Sequence, residues 1–460
     1  MATVITTNSA GVSSAANATV LFEMANVLIG VGGPATALSL TGKDNNITIQ
    51  GAVFGADTGI LTGAADGITD GDSDILIGTT GTVVGGITGI RMNDGFNVVT
   101  NQGSINGAIA IDFVDSVSSG RFDTVVNYGL INGTSIGIDG TGIGGLLVRN
   151  HGSIGGQTAI SGSSNGDDII NDGDIFGDVS LGNGVDIYEG GGRVFGTVSM
   201  GDGDDQFTGG DGRDVVSGGS GSDQIDLGAG DDTYLDGDVS FFTDGNDTVD
   251  AGAGTDMFIA GAKNGFVLNL EEGFAHSDSS GHDTISGFEN ATGTGAADTL
   301  TGSAGANLLR GSFGNDTLDG LAGNDRLQGG SGRDTIIGGA GRDVLTGGAD
   351  RDFFVYSASS DSAPGASPRD IVTDFLSGTD RIDLSGLDAD VRAGSDGGQA
   401  FTFIGSAAFS VGTAGQLRFS FSAITENALV QADVNGDGVA DIEIQLQNVF
   451  SVPAAGDFIL

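Results

Sequence analysis

The chain has 460 residues, with 87 Gly, 4 Pro, no Cys and no Trp; 61 Asp and Glu against 16 Lys and Arg leave a formal net charge of −45. A chain this acidic repels phosphate backbones and anionic lipid, which argues against a nucleic-acid partner and against membrane insertion. Without Cys it has no disulfide frame, no thiolate zinc site and no thiol nucleophile. Hydrophobic residues are 38% and aromatics 6%. That balance usually means disorder. Yet Val, Ile, Leu and Phe recur at regular intervals, and a cation that neutralises the carboxylates reconciles the two. The length allows two to three domains.

The first basic residue is Lys43, so no positively charged export leader is visible. The apolar stretch 20–31 contains Glu23 and Asn26 and is too short to span a bilayer. Residues 1–199 carry a long repeat: VTNQGSING at 99–107, VVNYGLING at 125–133, VRNHGSIGG at 148–156 and IINDGDIFG at 169–177, with NITIQGAVFG at 46–55 as a more divergent copy. A period of this size fits one coil of a right-handed parallel β-helix. Asn101, Asn127, Asn150 and Asn171 recur at its corner. Buried there, they would bond the backbone and stack into a ladder; the functional alternative places them along a sugar cleft. The turns at 70–76 and 163–171 read as isolated calcium-type turns, with too few ligands for a tight site. Residues 181–199 mix two grammars, so the helix is expected to run into the next region without a flexible linker.

A nonapeptide repeat occupies residues 200–355. Four copies span 200–235, with Asp205, Asp214, Asp223 and Asp232 at the sixth position and Phe207, Val216, Ile225 and Tyr234 at the eighth. Looser copies place Asp247, Asp256 and Asp283 at the sixth position. Within 236–292, the stretch near 257–292 reads as an insertion containing a strand pair. Seven further copies fill 293–355. Their sixth positions are Asp298, Asn307, Asp316, Asp325, Asp334, Asp343 and Asp352; their eighth are Leu300, Leu309, Leu318, Leu327, Ile336, Leu345 and Phe354. Gly lets backbone carbonyls turn toward one point, and Asp adds a hard anionic oxygen. Calcium takes six to eight such oxygens. A three-residue strand with its eighth position inward gives a thin apolar core.

This pattern resembles the RTX, or haemolysin-type, calcium-binding repeat. The resemblance implies a parallel β-roll in which two nonapeptides form one coil and each ion sits between stacked turns. Its sites would draw on the sixth-position residues named above and on the turn glycines Gly209, Gly218, Gly311, Gly320, Gly329, Gly338 and Gly347. Asn307 in place of Asp weakens its site. Stacking of repeats i and i+2 gives about seven ions or more. At ten times Kd each adds about 1.4 kcal/mol, so seven add about 10 kcal/mol, comparable to the stability of a whole domain. The expectation is a roll that folds only with calcium.

Residues 356–460 contain DIVTDFLSGTDRIDLSGLD, FTFIGSAAFSVGTAGQLRF and ALVQADVNGDGVADIEIQL, and finish DFIL. This stretch resembles the C-terminal domain of serralysin-type (M10) secreted metalloproteases. The likeness implies a β-sandwich-like secretion domain, an uncleaved type I signal at Asp457–Leu460, an ABC-exporter partner and an extracellular protein. The loop 433–441 resembles an EF-hand loop, but Ile444 stands where its twelfth residue must be Glu, so a tight turn between strands is expected.

The protease motif H-E-x-x-H is missing; the three His are His151, His276 and His282, the last two expected to be solvated. The two G-x-S-x-G strings, at 133–137 and 162–166, lack a strand–turn–helix context. β-Helix enzymes on uronic acids need basic residues, and 1–199 offers Lys43, Arg91, Arg121, Arg149 and Arg193. The sequence reading is therefore an all-β protein: a parallel β-helix running into a calcium-binding β-roll, then a secretion domain. It is a secreted, non-enzymatic surface, matrix or adhesin-like protein, with a polysaccharide-acting β-helix enzyme as the alternative. Self-association and cell-surface or matrix glycans are the remaining partners to consider.

Overall fold

The computed structural model describes all residues except 1, 5–11, 16–18, 23–27, 31–35, 42–44, 64–71, 94–95, 115–121, 238–244, 262–263, 278–280, 366, 393–397, 423–425 and 450–452. Short strands make up almost all of its regular structure, and the single helical element among the described residues is the 3-10 turn Ala455–Asp457. The chain forms two compact units, 1–235 with 244–254 and 236–243 with 255–460.

The first unit is a solenoid of parallel strands. Alternation along each strand turns every second side chain inward, and these side chains stack in columns. One column runs Ile47, Ile75, Val99, Val125, Val148, Ile169, Tyr188, Phe207, Ile225 and Val249, each paired in register with the next. None is more than 3% exposed. Burying each such side chain contributes about 1.5–3 kcal/mol. The column passes unbroken from the long repeat into the nonapeptides, so the β-helix and the roll share one core here.

Coil length falls along this column from Val99 as far as Ile225, and the last coil, to Val249, is longer again. Equivalent corner residues are separated by 26, 23 and 21 residues, then 19, 19 and 18. The long strands Ser104–Phe113, Leu130–Asp139 and Ser153–Ser161 absorb the loss through register shifts at their bends, near Gly107, Gly133 and Gly155.

The corner Asn residues are fully buried and form the expected ladder. Asn101 Nδ2 donates to Asn127 Oδ1 (2.8 Å), Asn127 to Asn150 (2.9 Å) and Asn150 to Asn171 (2.8 Å). Each Oδ1 also accepts the N–H two residues on, at Gly103, Gly129, Gly152 and Gly173. The ladder closes where Asn171 donates to the Tyr188 hydroxyl (3.2 Å). These contacts are structural, which leaves the side chains no freedom to serve a cleft.

In the second unit the nonapeptides wind at two per coil. Leu300, Leu318, Ile336, Phe354 and Ile382 form one column, and Leu309, Leu327, Leu345 and Val372 the other. All are fully buried. The insertion is a three-stranded antiparallel excursion: Val267–Asn269 pairs Phe274–Ser277, which pairs Gly281–Ser286, while Val267–Asn269 also joins Thr299–Thr301 in parallel. The C-terminal region continues the two sheets of the roll. Asp370–Val372 and Arg381–Asp383 extend the two sheets, and Phe458–Ile459 is a further strand beside 382–383. A meander of Gln416–Ser422, Asn427–Asp433 and Ile442–Leu446 is joined to 370–372.

Replacing Asn127 by Ala leaves Asn101 Nδ2 and Gly129 N–H without their buried acceptor. The expected loss is about 3 kcal/mol, read by urea unfolding of the full chain in calcium; a loss below about 0.5 kcal/mol would show that the ladder is ornamental.

Candidate metal centres

The turn geometry explains the glycines. At the second and fourth positions of the repeats φ is positive, as at Gly330 (115°), Gly332 (125°), Gly339 (85°) and Gly341 (150°). A Cβ on Gly332 or Gly341 would also overlap the carbonyl oxygen of Gly314 or Gly323, one coil earlier. These carbonyls therefore stack in columns along the turns. The first-position glycines have another task. A Cβ on Gly209, Gly218, Gly311, Gly320, Gly329, Gly338 or Gly347 would run into Oδ2 of the sixth-position Asp of its own repeat. For Gly209, Gly311 and Gly320 it would also meet the carbonyl of Leu227, Gly329 and Gly338. Each missing Cβ keeps a space open between a carboxylate oxygen and, at these three, a carbonyl of the next coil.

The sixth-position carboxylates form ladders of their own. Along each ladder the backbone N–H of one residue donates to Oδ1 of its counterpart one coil later. Asp205 N donates to Asp223 (2.8 Å), Asp214 N to Asp232 (2.7 Å) and Asp223 N to Asp247 (3.0 Å). Asp298 N donates to Asp316, Asn307 N to Asp325, Asp316 N to Asp334, Asp325 N to Asp343 and Asp334 N to Asp352, at 2.8–3.0 Å. The other oxygen is left over. Oδ2 of Asp205, Asp223, Asp316, Asp325, Asp334, Asp343 and Asp352 is buried and accepts no hydrogen bond. An unpaired buried carboxylate costs several kcal/mol, and here the same defect recurs coil after coil.

Burial first, and neighbouring carboxylates second, push these groups away from ionisation. Asp214, Asp316, Asp325 and Asp352 are raised to about 7 and Asp223 to about 8. A hard cation in the glycine-walled space would supply both the missing partner and the missing charge. Among the described residues, no three His, Cys, Asp or Glu side chains cluster as a metal-binding group. The remaining ligands would have to be turn carbonyls, which suits calcium and not zinc.

The other expected ligands are placed differently. Asp298 is already satisfied: Oδ2 accepts Thr294 N–H, and Oδ1 accepts Phe266 N–H and the Thr294 hydroxyl. Asn307 is likewise held by Ser303 N–H and donates to the Glu289 carbonyl. Asp247 Oδ2 accepts the Tyr234 hydroxyl (2.6 Å). Asp256 N–H donates to Glu289, which occupies the place of a ladder Asp. Asp283 lies on an antiparallel strand of the insertion, opposite Ala275.

The ladders extend beyond the recognised repeats. Asp343 N–H donates to Asp370 and Asp352 N–H to Asp380, across gaps of 27 and 28 residues in place of 18. Upstream, Asp167 N–H donates to Asp186 and Asp186 N–H to Asp205. The turn at 163–171 is therefore not isolated, contrary to the sequence reading; its 19-residue coil hid the period. The turn at 70–76 lies partly outside the described residues.

The EF-hand-like loop is a tight turn. Asp433 accepts Gly436 and Gly438 N–H, and Asp441 accepts Val434 N–H and the Asn435 amide. His276 and His282 face each other across two antiparallel strands, with ring centroids 4.6 Å apart.

Comparison with known proteins agrees with this geometry. Residues 293–460 match the family Peptidase M10 serralysin C terminal, and residues 201–234 and 243–267 match the RTX calcium-binding nonapeptide repeat. Metallopeptidase AprA of Pseudomonas marginalis is 42% identical over 88 residues, which is 19% of this chain and 16% of that protein. Among solved structures, the R3 and R2 subunits of the AlgE6 mannuronan C5-epimerase of Azotobacter vinelandii are 26% and 24% identical. They match 36% and 37% of this chain and 78% and 91% of their own, with TM-scores of 0.17 and 0.21. The extracellular lipase LipA of Serratia marcescens is 16% identical over 56% of this chain and 40% of its own, with a TM-score of 0.14. The chain thus carries RTX repeats, whose cation is calcium, and a serralysin-type C-terminal region.

Two outcomes follow from the carboxylate columns. A raised carboxyl pKa means that the metal-free fold is favoured by protons: its contribution is complete below about pH 4 and lost as pH rises through about 6–8. In chelator, lowering pH from about 8 to about 5 should therefore increase β-structure by circular dichroism; a decrease would contradict the assignment. Gly329→Ala, which crowds Asp334 Oδ2, should reduce the stabilisation that calcium adds by about 1.4 kcal/mol at ten times Kd. Urea unfolding with and without calcium measures this; an unchanged calcium increment would place the ion elsewhere.

Proposed function

We propose that this chain, bearing RTX calcium repeats and a serralysin-type C-terminal region, is a secreted structural solenoid that folds when it meets external calcium. The observation that carries the reading is the set of buried, unpartnered Oδ2 atoms along the Asp ladders. In a calcium-poor cytoplasm those carboxylates would hold the roll open, and the chain would stay unfolded for a type I exporter. Outside the cell, calcium would close the coils and offset the −45 charge.

The C-terminus supports the same order of events. Asp457 is buried, accepting the Ser377 hydroxyl and the N–H groups of Gly378 and Ala454, and Phe458 pairs with Ile382. A secretion signal at 457–460 would be readable from the unfolded chain and hidden in the folded one. Once outside, the rigid solenoid would serve at the cell surface or in the matrix. A catalytic role has less support, because Arg91 and Arg193, two of the few cations of the first unit, are engaged with Asp112 and Asp174.

Calcium titration of the full chain by circular dichroism tests this reading. The expected result is a cooperative gain of β-structure from a largely disordered spectrum in chelator. An identical, fully β spectrum in chelator and in millimolar calcium would overturn it, and sustained turnover of a glycan by repurified protein would favour an enzyme.

A further inference from the structure

We propose that the cation column begins inside the Asn-ladder solenoid, with an additional calcium site at Asp186, and that it is closed upstream by the backbone N–H of Ser163. This rests on the calcium reading above and extends it to residues outside the matched repeat segment, 201–234.

Asp186 is fully buried. Its Oδ1 accepts Asp167 N–H (2.7 Å), and its Oδ2 has no hydrogen-bond partner. Its own N–H donates to Asp205 (2.8 Å). It thus stands in the same relation to its neighbours as Asp316 or Asp334 does in the second unit. The surrounding turns match at their second and fourth positions, with Leu181 in place of the first-position glycine. Gly182, Gly184, Gly201 and Gly203 have φ of 103°, 142°, 116° and 154°, the positive values found at the second and fourth positions of the repeats. Gly182 and Gly201 are register partners, and a Cβ on Gly201 or Gly203 would overlap the carbonyl oxygen of Gly182 or Gly184. Two carbonyl-lined turns are therefore stacked beside one unpartnered carboxylate oxygen. Hard oxygens without an imidazole or thiolate select calcium.

One coil upstream the same position is closed without a cation. Asp167 Oδ2 accepts Ser163 N–H (2.7 Å), and Oδ1 accepts the Ser163 hydroxyl (2.9 Å) and Leu146 N–H (2.7 Å). Thr294 and Ser303 stand in the corresponding place before Asp298 and Asn307, where the second set of nonapeptides starts. The second-position N–H of these turns thus satisfies the sixth-position side chain and marks the upstream end of a column, and the first coil of each set binds no ion of its own; Ser312 also holds a second position, before Asp316, whose Oδ2 stays unpartnered.

The coil 168–189 carries both devices. Asn171 ends the amide ladder on the Tyr188 hydroxyl, and Asp186, two residues from Tyr188, starts the unpartnered carboxylates. Calcium at Asp186 would fasten the last Asn-ladder coil to the first nonapeptide coil.

The test compares full-length wild type with Asp186→Asn. Calcium is counted by equilibrium dialysis, and hydrogen exchange is followed by mass spectrometry with and without calcium. The variant should bind one ion fewer and lose calcium-dependent protection over 181–205, while protection over 316–352 stays as in wild type. Ser163→Ala should leave the ion count unchanged. Equal ion counts in wild type and Asp186→Asn, with equal protection over 181–205, would show that Asp186 stays protonated in the fold and would overturn the site. If wild type itself binds no calcium, it is the calcium reading as a whole that fails. If Asp186→Asn loses protection over 316–352 as well, the proposal that its effect is local fails.

Discussion

Coil after coil of the nonapeptide region is built around a buried carboxylate, at Asp205, Asp223, Asp316, Asp325, Asp334, Asp343 and Asp352, that satisfies only one of its two oxygens from within the protein. Oδ1 of Asp316, Asp334 and Asp352 is engaged by the coil before it, and Oδ2 faces a space that glycine keeps clear. The rest of the roll follows from this arrangement. Carboxylates must be brought close to hold the turns in register, and their mutual repulsion and desolvation must be relieved by something that is not a side chain. With 16 basic residues against 61 acidic ones, the sequence has no internal means of doing so. Calcium, the cation of the RTX repeats this chain carries, would supply that relief.

The Asn ladder solves the same problem with a neutral group. A carboxamide both accepts and donates, so Asn101, Asn127, Asn150 and Asn171 satisfy one another in a line without any ion. A carboxylate only accepts, so a line of Asp leaves one oxygen over wherever no further N–H or hydroxyl reaches it. The two ladders share one hydrophobic column in the first unit, from Ile47 to Val249. One core therefore supports coils with a self-satisfied amide corner and coils with a carboxylate corner whose second oxygen is left over. Coils shorten from 26 residues at Asn101 to 18 at Asp205, and the transition from one ladder to the other lies between Asn171 and Asp205.

Much of this could be read from the residues. The eighth-position side chains from Leu300 to Phe354 sit in the core as their spacing implies, and the four corner Asn stack as their repeat suggested. Two kinds of feature were hidden. Ladder residues separated by irregular coils, such as Asp186 at 19 residues and Asp370 and Asp380 at 27 and 28, escape any search for a fixed period. Residues that fit the pattern but have partners of their own, such as Asp298 with Thr294 and Asp247 with Tyr234, look like ligands until hydrogen bonds are placed. The period reports backbone geometry, whereas the need for a cation depends on whether a second oxygen is left unsatisfied.

The most direct measurement is a crystal structure of the full chain grown with calcium, with the ions located by anomalous scattering. Ions should lie about 2.3–2.6 Å from Oδ2 of Asp205, Asp223, Asp316, Asp325, Asp334, Asp343 and Asp352. Turn carbonyls should complete each coordination shell. If those oxygens were instead found hydrogen-bonded within the protein, with calcium scattered over surface carboxylates, the roll would not depend on calcium in the way described.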